Sequence, residues 1–206
     1  MGHPGVQLDL IEALHSAAQA KSSRIPLVVV TVSGGPVAER YLGMDPMGTQ
    51  GTAWLWLSYF GQDGGGVADV IFGAYSPSGR TPFSVPTSHS QLGDIADYSM
   101  VQSGGYGRTY RYNRYANATA APMFPFCHGL SYANLSMTLS INSSTASMGD
   151  TVNASVAISR YDDMSIAQDV VVALFGEFLT DNEGTSPVTA LPVRQLVKFE
   201  KVTVPA

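Results

Sequence analysis

The chain has 206 residues, of which 45% are hydrophobic and 13% are charged, and its formal net charge is −5. This length suffices for one large domain or two small ones, and the high hydrophobic fraction with the low charged fraction argues against an intrinsically disordered chain. The acidic balance gives no reason to expect nucleic acid or another polyanion as a partner. No apolar stretch reaches the roughly eighteen residues that a membrane span needs, and residues 1–5 lack the features of a signal peptide.

The first part of the chain has the pattern of an α/β protein. Apolar residues at helical spacing predict a helix over Gln7–Ala20. The β-branched run Leu27–Val32 predicts a strand that is buried on both faces, as in a parallel sheet covered by helices. A second strand is predicted at Ala53–Tyr59, and the glycine loop Gly61–Gly66 leads into a short predicted helix at Val67–Phe72. This order indicates an α/β unit, in which ligands bind beyond the carboxyl ends of the strands.

The pattern changes beyond residue 134 to an alternation of apolar and polar residues, which is typical of half-buried antiparallel strands. Four strands are predicted there: Leu135–Ile141, Thr151–Ile158, Asp169–Phe175 and Gln195–Val202. Short strands at regular spacing indicate a β-sandwich, which in this class has about seven strands. We therefore expect an incomplete sandwich.

An uncharged segment, Pro122–Tyr132, separates these two regions. Its prolines fix φ and remove backbone donors, so the segment is expected to lie extended across another surface. It contains the single cysteine, Cys127, for which a buried, inert thiol is the favoured interpretation. A catalytic pair of Cys127 and His128 is disfavoured because neighbouring residues of an extended chain point to opposite faces.

Two further motifs leave alternatives open. The loop Gly61–Gly66 precedes a helix and could bind an anion, but it lacks the lysine and hydroxyl of a P-loop; its glycines could instead allow close packing of helix on sheet. The run Tyr106–Tyr115 mixes cations with aromatic residues, which suits nucleic acid, sugars or internal packing. Packing is the default for an acidic chain without a wider basic stripe.

Several segments together resemble one enzyme family. Gly61–Pro86 resembles the C-terminal α/β sandwich domain of family 3 glycoside hydrolases, and Ser33–Pro36 after a strand matches the same family. The segment Phe126–Tyr132 is similar to the family's Phe-Gly-His/Tyr-Gly-Leu-Ser-Tyr sequence, with Cys127 in place of the usual glycine. Gly107–Arg111 together with His128 indicates the β-xylosidase branch.

The resemblance implies a domain organisation for the whole chain. Residues 1–115 would form the latter part of the α/β sandwich domain, 116–134 an extended linker, and 135–206 a truncated fibronectin type III-like domain with an immunoglobulin-like sandwich. The fold class is therefore α/β followed by an incomplete all-β sandwich.

The resemblance also bears on catalysis. Family members are retaining hydrolases that use two carboxylates, one as nucleophile and one as general acid/base. In the family the nucleophilic aspartate lies on an N-terminal barrel, and the acid/base glutamate lies in a segment that would precede Gln7. Glu39 and Asp63 are present but neither is favoured as a substitute. We expect no catalytic, cofactor-binding or metal-binding residue in these 206 residues, and no cofactor.

Four N-glycosylation sequons lie within forty residues, with acceptors Asn117, Asn134, Asn142 and Asn153. This clustering indicates the secretory pathway or an extracellular location for the full-length protein, and the alternative is that the sequons arise by chance in loops rich in serine and threonine.

Three functions are therefore open. The chain would be part of a retaining β-glycosidase that hydrolyses terminal β-linked xylose or glucose units of oligosaccharides or xylan fragments, itself inactive. It could instead be a non-catalytic carbohydrate-binding or structural module. A flavodoxin-like nucleotide-binding domain is the third alternative. Nucleic acid and membranes are not expected partners.

Overall fold

A computed structural model describes residues 5–20, 25–37, 52–59, 61, 64–101, 107–113, 121–143, 147, 149–177 and 192–206. The helices are α1 (Gln7–Gln19), α2 (Gly65–Ile71) and α3 (Thr109–Tyr112), with a 3₁₀ turn at His89–Leu92. The strands are β1 (Leu27–Val32), β2 (Thr52–Leu57), β3 (Leu135–Ile141), β4 (Ala154–Arg160), β5 (Gln168–Glu177) and β6 (Arg194–Val204). The chain divides into two compact units: unit 1 takes residues 1–63, 80–128 and 173–199, and unit 2 takes 64–79, 129–172 and 200–206.

Unit 1 contains the predicted parallel pair of strands. β1 and β2 pair in parallel, with Val29 opposite Trp54. Only one face of β1 is buried, however: Val29 and Thr31 are covered, whereas the alternate valines, from Val28 to Val32, are 41–51% exposed. The expectation that both faces are covered is therefore wrong for the described residues, in which Leu8 and Ile11 of α1 pack against the core that contains Val29.

The core of unit 1 consists of Val29, Val85 and Phe124. Partly buried residues of the helix, both strands and the neighbouring loops pack against it: Leu8, Ile11, Leu27, Trp54, Phe83 and Met123. The helix predicted over Gln7–Ala20 is confirmed, ending at Gln19. It contributes a narrower apolar stripe than predicted, because Leu14 is 48% exposed.

The segment that begins at Pro122 is extended only in part. Phe124 forms a backbone bridge with Val85, in which the Val85 amide donates to the Phe124 carbonyl at 2.8 Å. The chain then turns, because the His128 amide donates to the Pro125 carbonyl at 3.1 Å. Cys127 takes the left-handed conformation inside this turn, with φ of 67°. The prediction that Pro122–Tyr132 lies extended is thus wrong after Pro125, where the chain turns at Phe126 and Cys127.

An aromatic cluster fixes α3 in unit 1. The Tyr110 ring stacks on Phe126 with centroids 4.2 Å apart, and Phe175 of β5 meets Tyr110 edge to face at 5.8 Å. The Leu196 amide of β6 donates to the Tyr110 hydroxyl. Residues of the Tyr106–Tyr115 run that the structure describes are therefore used in packing, as the default interpretation predicts.

Unit 2 contains the antiparallel pair of β3 and β4, in which Leu139 lies opposite Val156. β3 has the predicted bounds, but β4 begins at Ala154 rather than at Thr151. The apolar side chains of β3 remain about half exposed: Met137, Leu139 and Ile141. β5 and β6 pair in a separate sheet. The predicted strands are confirmed, whereas a fibronectin-like sandwich and the boundaries at residues 115 and 135 stay predictions.

Buried polar groups hold unit 2 together. Gln168 is completely buried, and its carboxamide accepts a hydrogen bond from Ser76 and donates to the Pro77 carbonyl at 3.2 Å. Ser76 also accepts the Tyr132 amide at 3.0 Å. These bonds satisfy polar groups that would otherwise be costly to bury, and they tie the loop after α2 to the start of β5.

Asp169 is the centre of a second polar cluster in unit 2. Its carboxylate accepts hydrogen bonds from Lys201 at 2.6 Å, Thr203 at 2.7 Å and Tyr75 at 2.9 Å. These donors, Lys201 first, lower the pKa of Asp169 from its usual 3.8 to about 2. The ionised carboxylate therefore stabilises the pairing of β5 with β6 and the hydrogen bond between Asp169 and Tyr75.

We predict that this stabilisation is lost in acid. Because the pKa is depressed in the folded chain, the contribution is fully present above the unfolded-state value of about 3.9 and disappears as the pH falls towards about 2. Hydrogen exchange of peptides from β5 and β6 should accelerate between pH 4 and pH 2 in the wild type, after correction for intrinsic exchange. Asp169→Asn should exchange faster already at pH 7 and show little further change, and an equal acid response in both proteins would contradict the prediction.

Candidate functional site

The carboxyl edge of β1 and β2 is the place where an α/β sheet binds ligands. Ser33 follows β1 directly, and its amide donates to the Leu57 carbonyl at 3.1 Å, which continues the ladder past the strand. The Trp56 indole donates to the Ser33 hydroxyl at 2.9 Å, and that hydroxyl donates to the Gly35 carbonyl at 2.8 Å. This chain of hydrogen bonds fixes the turn at the strand end.

Tyr59 lies two residues beyond β2 at the same edge and is 78% exposed. Its ring lies so close to Gly34 that a Cβ built on this glycine would come within 2.9 Å of the ring. Gly34 is not one of the glycines with positive φ, so close approach rather than backbone conformation explains the glycine. The sequence pattern places Tyr59 inside a predicted strand, whereas β2 ends at Leu57 and Tyr59 lies beyond it. An aromatic residue at the end of a predicted strand is the only sequence signal for it.

A second group of candidate side chains surrounds the turn at Cys127. The segment 81–85 pairs with 124–128: the Cys127 amide donates to the Thr81 carbonyl at 2.9 Å, and the Thr81 amide donates to the His128 carbonyl at 2.8 Å. The Thr81 hydroxyl accepts the His128 amide and donates to the Pro125 carbonyl, each at 3.1 Å. The His128 ring stacks on Phe124 with centroids 4.7 Å apart.

The electrostatics of this group oppose nucleophilic chemistry. Burial raises the pKa of the Cys127 thiol, and the nearby Arg80 guanidinium offsets only part of the effect. Burial and then Arg80 lower the pKa of His128, so its ring stays neutral at pH 7. A protonated thiol is a poor nucleophile, and this supports the interpretation of Cys127 as inert. The residue is half-buried, however, and not buried as predicted.

The backbone conformation at Cys127 leads to a prediction. A left-handed conformation costs an L-residue about 1–2 kcal/mol, whereas glycine adopts it freely. The free energy of unfolding of Cys127→Gly should therefore exceed that of Cys127→Ala by about 1 kcal/mol. At positions with negative φ the order is usually the reverse, because glycine loses more conformational entropy on folding than alanine does. Urea unfolding monitored by tryptophan emission measures this difference, because both tryptophans lie in unit 1. An alanine variant as stable as the glycine variant would contradict the strain assigned to φ of 67°.

The other sequence candidates are placed as follows. Glu39 and Asp63 lie outside the described residues. A Cβ on Gly61, Gly64 or Gly66 would meet nothing within 4 Å, so close helix packing does not explain these glycines. Among the described ranges, no group of three histidine, cysteine, aspartate or glutamate side chains could hold a metal ion.

The sequons are exposed where the structure describes them. Asn134, Asn142 and Asn153 are exposed, and Asn117 lies outside the described residues. Asn142 and Asn153 face each other at the end of the β3–β4 ladder, where the Asn153 amide donates to the Asn142 side-chain oxygen at 2.8 Å. Exposure is compatible with glycosylation, which stays a prediction. In the part of the chain that the structure covers, no helix is long and apolar enough to cross a membrane.

Comparisons with known proteins agree with the sequence resemblance. The chain is 32% identical to β-D-xylosidase 1 of Arabidopsis thaliana over 98% of its own length and 28% of the relative. The chain is also 32% identical to the periplasmic β-glucosidase of Salmonella typhimurium, over 97% of the chain and 24% of the relative. The structure of a β-glucosidase from Listeria innocua in complex with isofagomine matches all of the chain and 26% of that protein, with a TM-score of 0.72 and 24% identity.

The chain thus spans about a quarter of the length of these relatives. The model of the glycosyl hydrolase family 3 C-terminal domain matches residues 1–132, nearly two thirds of the chain. This match covers both the carboxyl edge of β1 and β2 and the turn at Cys127. The chain belongs to the glycosyl hydrolase family 3 C-terminal domain family.

Proposed function

We propose that the chain is part of a retaining β-glycosidase that hydrolyses terminal β-linked xylose or glucose units. The match of residues 1–132 to the family 3 C-terminal domain carries this proposal. The relatives named as β-xylosidase and β-glucosidase support the substrate class. They do not separate the two sugars, since both are 32% identical to the chain. We favour xylose because of His128 in the Phe126–Tyr132 segment.

In this proposal the chain supplies a wall of the substrate cleft and other residues of the full-length protein supply the catalytic carboxylates. Retaining hydrolysis needs two carboxyl groups about 5 Å apart. The carboxylates with the strongest interactions in the structure have other roles. The Asp162 carboxylate accepts a hydrogen bond from the Arg160 guanidinium at 2.7 Å, and this bond is the main cause of its lowered pKa. The Asp169 carboxylate accepts hydrogen bonds from three donors, which also lower its pKa. Both stabilise unit 2 as ionised groups and neither suits a proton donor.

We also propose that residues 135–206 form a fibronectin type III-like region, on the support of the alternation in β3 and the antiparallel pairing of β3 and β4. The exposed sequons and the periplasmic relative support an extracellular or secretory location for the full-length protein. The proposed substrate is an oligosaccharide or a xylan-derived fragment, and the chemistry needs no cofactor.

Hydrolysis assays test the division of roles. We expect the 206-residue chain to release no product from aryl β-xyloside or aryl β-glucoside, and the full-length protein to release it with retention of anomeric configuration. Hydrolysis by the short chain would overturn the assignment of the carboxylates to other residues. A full-length protein inactive on both substrates would favour the alternative of a non-catalytic module.

A further inference from the structure

The Tyr59 ring is presented in an unusual way at the edge of the parallel sheet. One side of the ring contacts Gly34, at a distance that a side chain at position 34 would not permit. The residue is nevertheless 78% exposed, so most of its surface faces solvent. A single exposed aromatic residue is common on protein surfaces, so exposure alone does not mark a binding site. What distinguishes Tyr59 is that one side of its ring is supported by Gly34 while the rest is open to a ligand.

The turn that supports this ring is fixed by hydrogen bonds. The Trp56 indole donates a hydrogen bond to the Ser33 hydroxyl, which donates one to the Gly35 carbonyl. These bonds restrict the conformation of the turn that contains Gly34. Trp56 itself packs edge to face on Phe83, with centroids 4.9 Å apart. Preorganised surfaces lose less conformational entropy on binding than mobile ones.

We propose that Tyr59, supported by Gly34, is a stacking platform for a pyranose ring of the substrate. The ligand class rests on the proposed function. The apolar face of a pyranose stacks on an aromatic ring, and the carboxyl edge of a parallel sheet is where the fold places ligands. The phenolic hydroxyl of Tyr59 lies at the same edge and offers a hydrogen-bonding group to sugar hydroxyls.

Another exposed tyrosine provides a contrast within unit 1. Tyr98 is 89% exposed, but it lies on the loop 94–101 rather than at the end of a parallel strand. It therefore serves as the matched control, since its loss removes the same side chain from an exposed position. If any exposed tyrosine sufficed for sugar binding, both positions would matter equally.

The experiment measures binding of xylohexaose and cellohexaose to the 206-residue chain by calorimetry and by tryptophan emission. The Trp56 indole reports on the site because it donates to Ser33, in the turn that supports the Tyr59 ring. We expect saturable binding of at least one sugar by the wild type and by Tyr59→Phe, and a loss of about tenfold in affinity for Tyr59→Ala. Tyr98→Ala should bind like the wild type. Gly34→Ala should displace the ring and weaken binding by a similar factor, while circular dichroism shows an intact fold.

The outcomes separate this inference from the proposed function. Three results would contradict the inference that Tyr59 binds a sugar ring. They are no binding by the wild type, equal affinity of Tyr59→Ala and the wild type, and loss of binding only in Tyr98→Ala. None of these results depends on hydrolysis, which is the test of the proposed function. If Gly34→Ala fails to fold, the comparison of Tyr59→Ala with Tyr59→Phe still decides.

Discussion

Replacing Phe124 by alanine will lower the free energy of unfolding of unit 1 by about 4 kcal/mol. Phe124 is 7% exposed and lies in the core cluster with Val29 and Val85. Its ring contacts Trp54 at a centroid distance of 5.6 Å and His128 at 4.7 Å, so truncation leaves a cavity between β2 and the turn at Cys127. The backbone bridge to Val85 survives, but it loses the side chain that covers it.

Urea unfolding monitored by tryptophan emission gives the measurement, since Trp54 lies against the new cavity. Phe199→Ala is the matched control, because Phe199 is also in unit 1 and is 69% exposed. We expect the control to change stability by less than about 0.5 kcal/mol. Similar losses in the two variants would show that Phe124 does not form the centre of the core.

The sequence predicts local structure well wherever side-chain periodicity determines it. The β-branched run Leu27–Val32 and the alternating run Leu135–Ile141 are strands with the predicted bounds. Strand ends are less accurate, because pairing with another segment decides them. β4 begins at Ala154 because the bonds between Asn142 and Asn153 end the ladder, and the sequence of β4 alone does not contain that information.

The candidate site is harder to predict because it depends on contacts between distant segments. The sequence indicates that Cys127 replaces a usual glycine, but its left-handed φ follows from the pairing with Thr81, which lies 46 residues earlier in the sequence. The position of Tyr59 at the edge follows from its contact with Gly34. Neither contact leaves a periodic signal in the sequence.

The Gly107–Arg111 motif shows how a family resemblance gains a physical explanation. The Arg108 amide donates to the Met100 carbonyl at 2.8 Å, and its guanidinium donates to the carbonyls of Ser99 at 3.1 Å and of Asp94 at 2.9 Å. It also donates to the Asp97 carbonyl. Arg108 therefore holds the loop 94–101 through backbone carbonyl acceptors. In a nucleic-acid-binding surface the guanidinium would instead be available to contact phosphates. The conformation at Gly107 sets the direction from which Arg108 enters this loop.

Gly107→Ala will accordingly destabilise unit 1 by about 3 kcal/mol. Gly107 has φ of 62°, and a Cβ there would overlap the backbone carbonyl of Tyr112 and lie 3.0 Å from the Asn113 amide nitrogen. The left-handed conformation contributes about 1–2 kcal/mol of the loss, and displacement of the rigid α3 backbone contributes the remainder. A flexible side chain could move away at little cost, but a backbone carbonyl in a short helix cannot.

Gly35→Ala provides the comparison for this loss, because a Cβ at Gly35 would meet nothing within 4 Å and its φ is not positive. We expect that variant to be neutral or slightly stabilised, since alanine restricts the unfolded chain more than glycine does. Hydrogen exchange adds a local measurement: the loop 94–101 should exchange faster in Gly107→Ala, because Arg108 moves with α3 and releases its carbonyl acceptors. A Gly107→Ala protein as stable as Gly35→Ala, with an unchanged loop, would mean that the motif needs glycine for a reason other than the carbonyl of Tyr112.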